Sequence, residues 1–278
     1  MSHHCKFITV IVLGLVACSL SGWFSAFPSV AQAQQAQRRK VRGRQTQAPT
    51  RSKHYERHTY KAKDGTSIDY WLMSPAEVQS GQKYPLVLAL HGRGGTTTAA
   101  TVLGSEKYRR QFPCFVIAPV STRQGVWARA RKTIGSGNRK KAGKEMLPAA
   151  IEALESLLEK YPIDRDRIYV TGQSMGGFGT FGALVQRPDL FAAGIPVAGG
   201  WAVRDAEKIK DTPLWVFHGD KDNVVPTELS RNMVEAIRKA GGHPKYTEFA
   251  GVGHNSWSRA YASPRTWDWL FAQKRQPR

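Results

Sequence analysis

From about residue 55 the chain alternates between two hydrophobic periods. Two short amphipathic runs, RHTYKAK and SIDYWLM, flank Asp64-Gly65 and predict a hairpin. YPLVLALHG is then continuously apolar and stops at a glycine, as a strand buried on both faces of a parallel sheet must be. CFVIAPV, RIYVTG, AAGIPVAGG, PLWVFHG and KYTEFAG repeat that signal. Helical spacing fills the intervals. A helix is predicted over 98–110, and a second over 145–160 with Leu147, Ile151, Leu154 and Leu158 on one face. GTFGALVQR, residues 228–240 with Leu229, Met233 and Ile237 aligned, and the closing TWDWLFAQKR follow. Strands alternating with helices imply an α/β fold, with a mostly parallel central sheet, helices on both faces and an antiparallel hairpin at the start. No internal repeat of solenoid length interrupts it. Residues 55–278 are therefore expected to form one domain.

The preceding residues follow neither period. Residues 7–17 (FITVIVLGLVA) are almost wholly apolar after a short, slightly basic start, which predicts a secretory signal. Ala31-Gln32-Ala33 offers small residues for a cut after position 33. Two alternatives stay open. Leu15-Val16-Ala17-Cys18 has the form of a lipobox, in which Cys18 would be lipidated, and residues 7–30 could serve as an uncleaved anchor. Each reading places the body outside the cytoplasm, secreted or periplasmic, with no stable membrane span unless the signal is retained or Cys18 is lipidated. Residues 34–54 hold hardly any large apolar side chains and are expected to be a disordered basic linker, because they cannot bury enough surface to offset chain entropy.

Composition sharpens this division. The chain has 278 residues, 41 Lys and Arg against 21 Asp and Glu, and a net charge of +20. Apolar and aromatic residues are too many for a wholly disordered chain. The charge first suggests a polyanion as partner. Residues 34–63 contribute +9 of it, however, and no nucleic-acid module is recognisable, so nucleic acid is not an expected partner. Cys5 and Cys18 fall in the predicted signal. Cys114, beside an apolar strand, is expected to be a buried thiol rather than a nucleophile.

Chemistry enters with Gly172-Gln173-Ser174-Met175-Gly176, which fits G-x-S-x-G. The pattern alone is weak, but here a predicted strand runs into it and a predicted helix leaves it. That context makes a sharp turn exposing the Ser174 hydroxyl. A serine needs a base, and a histidine base needs an acid to orient it. In the order Ser, acid, His, the strand PLWVFHG is followed by Asp220 and Asp222, and KYTEFAG by His254. Asp222 lies deeper in its loop and is the chosen acid; Asp220 is the runner-up. His218 and His91 each end a strand as His-Gly and read as satisfied structural histidines. The glycine-rich His91-Gly92-Arg93-Gly94-Gly95 lets backbone N–H groups approach a developing oxyanion. The expected donors are the N–H of Met175 and that of Arg93, or of Gly94. No HExxH or other metal-ligand set appears, so neither metal nor cofactor is expected.

Together HGRGG, GQSMGG, HGDKDNVVP and GVGHNSW resemble the secreted bacterial α/β-hydrolases, namely the dienelactone hydrolase-like, polyhydroxybutyrate depolymerase-like and feruloyl esterase-like enzymes, often labelled predicted peptidases. The resemblance covers residues 55–273. It implies the α/β-hydrolase fold, the triad Ser174, Asp222 and His254, oxyanion donors at Arg93 and Met175, and a site-lining role for Trp257.

One stretch departs from that pattern. Residues 121–144 carry Arg123, Arg129, Arg131, Lys132, Arg139, Lys140, Lys141 and Lys144 with no acid. Leaving the carboxyl end of a strand, this loop would rim the site, with Arg129 and Arg131 capturing an acidic substrate and Trp127 stacking on its ring. The alternative is a solvated basic loop. The expected function is a secreted serine hydrolase cleaving carboxylic esters, including feruloyl-type esters of polysaccharide. The rivals are a peptidase on the same triad and a non-catalytic polyanion-binding protein on this scaffold.

Overall fold

A computed structural model describes residues 53–129 and 143–275. The predicted signal, nearly all of the predicted linker, and Arg131 with the middle of the basic loop lie outside the described residues. Among the described residues, no helix is long and apolar enough to cross a membrane.

Asp64 and Gly65 turn the chain between β1 (Glu56–Lys61) and β2 (Ser67–Met73). Gly65 takes a φ of +81°, which favours a residue without Cβ. Asp64 Oδ1 accepts the N–H of Thr66 at 2.8 Å. The strands pair antiparallel, from Glu56 opposite Leu72 to Lys61 opposite Ser67.

β3 (Tyr84–Leu90) and β4 (Phe115–Val120) are buried at every position, as their unbroken apolar runs require. Between them the expected single helix is two, α1 (Thr98–Leu103) and α2 (Glu106–Gln111). The break is local chemistry: Gly104 caps α1, and the Ser105 hydroxyl donates back to the Val102 carbonyl at 2.7 Å, competing with helix continuation. α3 (Leu147–Leu158), β5 (Ile163–Gln173), α4 (Met175–Gln186), β6 (Ala193–Val197), a 3-10 segment (Val203–Ile209), β7 (Trp215–Gly219), α5 (Glu228–Lys239), β8 (Lys245–Phe249), α6 (Trp257–Ala262) and α7 (Pro264–Phe271) follow. The 3-10 segment and α6 have no counterpart in the expected elements; both are too short to set up a readable period.

The eight strands form one sheet in the order β1-β2-β4-β3-β5-β6-β7-β8. β2 pairs antiparallel with β4, and all later pairs are parallel. Alternation along β3 divides the core: Leu86, Leu88 and Leu90 join one apolar layer, with Leu154, Phe181 and Met233 from α3, α4 and α5. Val87 and Ala89 join the other, with Ala100, Tyr261, Trp267 and Leu270 from α1, α6 and α7. This is the α/β-hydrolase fold. Cys114 is buried in the second layer, where burial pushes its thiol up to about 12. Because the central strands are parallel, the loops after β3, β5, β7 and β8 all leave one edge of the sheet.

Candidate active site

Ser174 sits between β5 and α4 with φ 54° and ψ −117°, a conformation that costs energy for any residue with a Cβ. Backbone bonds hold it there. Its N–H donates to Val197 O at 2.9 Å, and its carbonyl accepts the N–H of Gly177 at 2.8 Å and of Phe178 at 3.1 Å. The neighbouring glycines answer to space. A Cβ on Gly172 would stand 2.4 Å from Gly176 O, and one on Gly176 would stand 2.1 Å from Leu90 O. Only hydrogen fits, so the motif is a packing requirement of the turn that lifts Ser174 clear of the sheet.

Two further loops meet the serine. His254 Nε2 lies 2.9 Å from Ser174 Oγ, and His254 Nδ1 lies 2.8 Å from Asp222 Oδ2. A carboxylate only accepts, so Nδ1 carries the proton and Nε2 is free to take one. The other oxygen of Asp222, Oδ1, accepts the N–H groups of Val224 and Val225 at 2.9 Å each. The carboxyl is fully buried. Burial alone would raise its pKa; the hydrogen bonds from His254, Val225 and Val224 outweigh that and hold it below the ordinary value. Asp220 faces elsewhere: its Oδ1 accepts the N–H of Gly251 at 2.7 Å, joining the loops after β7 and β8.

The loop after β3 closes on the same serine. A Cβ on Gly92 would lie 3.6 Å from Ser174 Cβ. His91 is buried, donates from Nδ1 to Gly92 O at 2.6 Å, and accepts the Ser121 N–H on Nε2 at 3.0 Å. Burial lowers its pKa and keeps it neutral. Gly92 O also accepts the Gly95 N–H at 3.0 Å. In a trans peptide the C=O and N–H point opposite ways, so pinning the Gly92 carbonyl fixes the direction of the Arg93 N–H. The Met175 N–H is the first of α4 and has no intrahelical acceptor. Gln173 Oε1 accepts the Thr98 N–H at 2.9 Å and ties this loop to the serine turn.

Trp127 is a correction. Expected to stack on substrate at the rim, it is fully buried. Its Nε1–H donates to His91 O at 2.8 Å, and its ring meets His91 edge-on with centroids 4.8 Å apart. The cause is the stem of the basic loop. Val126 N–H bonds Lys144 O, Met146 N–H bonds Val126 O, and Leu147 N–H bonds Trp127 O, drawing the indole inward. Its signal in sequence is the apolar run Val126-Trp127-Ala128 inside a polar loop. Arg129 is exposed, but its guanidinium donates to Gly143 O and its backbone N–H to Glu145, so it closes the stem. Arg131 lies outside the described residues. Trp257 opens α6 beside the base, its ring perpendicular to His254 with centroids 5.0 Å apart. Among the described residues, no group of three or more His, Cys, Asp or Glu side chains is placed to hold a metal ion. His91 and His218 are the satisfied structural histidines expected, and what sequence reasoning missed is the partners they and Gln173 bind. Each of the three follows or precedes a motif glycine, which marks position but not the bonds made.

Comparison with known proteins bears on the fold. Residues 135–208 match the prolyl oligopeptidase family, well under half of the chain. A curated relative, an uncharacterized peptidase YuxL of Bacillus subtilis, is 25% identical over 236 residues, covering 70% of this chain and 35% of that protein. A solved thermostable esterase superposes with a TM-score of 0.73 at 38% identity, covering 80% of this chain and 64% of that one. A ferulic acid esterase structure covers 78% of this chain and 98% of its own at 17% identity and a TM-score of 0.57, which shows likeness of fold alone. The chain thus spans about a third of the length of the curated peptidase it matches. The resemblance to esterase-like α/β-hydrolases read from the motifs is supported.

Proposed function

We propose that this α/β-hydrolase is a serine hydrolase that cleaves carboxylic esters. The observation that carries the reading is the continuous hydrogen-bonded chain from Ser174 through His254 to the buried Asp222. Ser174 Oγ attacks the ester carbonyl carbon while His254 Nε2 takes its proton. Asp222 holds the imidazole in the right tautomer and stabilises the imidazolium. The N–H groups of Arg93 and Met175 receive the tetrahedral oxyanion. Collapse expels the alcohol, protonated by His254, and leaves an acyl-enzyme. Water, deprotonated by His254, then attacks that ester, releasing the carboxylic acid and restoring Ser174. Export, as the apolar run at residues 7–17 suggests, belongs to the same proposal, and mass spectrometry of the mature N-terminus tests it.

The test is a panel of p-nitrophenyl acetate, a feruloyl ester and a peptide anilide against wild type and Ser174→Ala, with fluorophosphonate labelling. Turnover of at least one ester, lost by about 10⁴-fold or more in Ser174→Ala together with labelling, is expected. Unchanged ester turnover in Ser174→Ala overturns the assignment, and an unlabelled, inactive wild type points to the polyanion-binding rival. The match to the prolyl oligopeptidase family favours one second reading, a peptidase on the same residues. Anilide turnover exceeding that of every ester selects it.

A further inference from the structure

His218 closes β7 with a fully buried side chain. Its Nε2 lies 3.1 Å from Asp222 Oδ2 and 3.0 Å from Val225 O. Both partners are acceptors without a proton, so Nε2 must carry one. Asp222 Oδ2 is also the oxygen to which His254 Nδ1 donates. The carboxylate therefore receives four donors: two backbone N–H groups on Oδ1 and two imidazoles on Oδ2. On the far side, His218 Nδ1 faces Ser230 Oγ at 2.7 Å, and that hydroxyl lies 2.8 Å from Gly199 O. Burial, the largest influence on it, holds His218 below the ordinary histidine value. The Ser230 hydroxyl donates to Gly199 O. One network joins the loop after β6, helix α5, the end of β7 and the loop after β8 to Ser174.

We propose that His218 is a positioning residue for Asp222: its Nε2–H aims Oδ2 at His254 Nδ1 and draws charge from that oxygen, setting how firmly Asp222 supports the His254 imidazolium. This rests on the esterase reading of Ser174, His254 and Asp222. A space-filling histidine would be satisfied by Val225 O alone. Sharing the oxygen used by His254 is what couples His218 to the base. Without the donor, Asp222 turns more freely and carries more charge on Oδ2, so His254 is aimed less well and holds its proton more tightly.

In the ester assay, His218→Phe is expected to lower kcat about tenfold with KM changed less than about twofold, the scale of losing an orienting partner behind a functional side chain. The acid limb of kcat/KM is expected to move up by about half a pH unit. His218→Gln, whose amide N–H reaches the position of Nε2, is expected to restore most of the rate and return the limb. His218→Asn, too short to reach, is not. If His218→Phe does not fold, the Gln and Asn pair decides. Wild-type kcat and pH limb in a folded variant lacking the donor overturn the proposal. So does equal loss in Gln and Asn with an unmoved limb, which marks a purely structural role. Failure of the underlying reading shows separately, as ester turnover that survives Ser174→Ala.

Discussion

Two buried histidines give the residue scale a measurable signature. His91 and His218 are both held below the ordinary histidine value by burial. As pH falls through about 6.5 the unfolded chain takes protons that these two side chains refuse. The unfolded state then binds more protons than the native one, so stability declines with falling pH until the native values are reached. Carboxylates act lower down. Glu248 is pulled to about 2, chiefly by Arg231, and Asp222 is also lowered, so their contribution is present above about pH 4.5 and lost below it. Tm is expected to fall between pH 7.5 and 5.5, with a shallower fall in His218→Gln; a flat wild-type profile over that window contradicts it. Single residues were legible in sequence where backbone sterics confine the choice. Ser174 is one, because the flanking glycines at 172 and 176 admit no other side chain. His218 could be placed at a strand end but not bonded, since its partners come from the loop after β7 and from helix α5, whose approach to it hydrophobic spacing does not register.

At the scale of elements, strands read more truly than what joins them. β3 and β4 announce themselves because burial on both faces leaves no polar position. The division of residues 98–110 into α1 and α2 turns on one glycine and one serine hydroxyl, which hydrophobic spacing does not register. Trp127 was misread for a related reason. Its burial is decided by backbone pairing in the stem between residues 126 and 147, of which the short apolar run at 126–128 is the local trace. Its bond to His91 O makes it a brace for the loop that carries Arg93. Trp127→Phe leaves that buried carbonyl without its donor, an expected cost of about 1–3 kcal/mol in stability. A tenfold or so loss in kcat should accompany the lower Tm. A raised KM with unchanged Tm would instead restore the ring-stacking role.

For the whole molecule, charge is the open variable. Of the chain's +20, Lys6 carries one, residues 34–63 carry +9 and residues 64–278 carry +10. Eight of the cations in the later part fall in residues 121–144, whose described stem stands at the end of β4, on the edge that bears Ser174. A field of that sign concentrates anionic substrates and is screened by salt over about 10 Å at 0.1 M. Raising salt from 0.02 to 0.5 M is expected to lower kcat/KM several-fold for an ester bearing a carboxylate and to leave a neutral ester nearly unchanged. Parallel responses would return the loop to plain solubilisation.

The order of strands also decides how the protein can be handled. Ser174 follows β5, and β1 lies four places away across β2, β4 and β3. At about 4.8 Å per strand that is roughly 19 Å of sheet. Asp222 and His254 lie further still in the same direction, after β7 and β8. A reporter or resin linkage attached ahead of Glu56 would therefore hang from the border remote from the reactive one. Immobilised that way, the protein should keep its substrate-facing loops clear of the support.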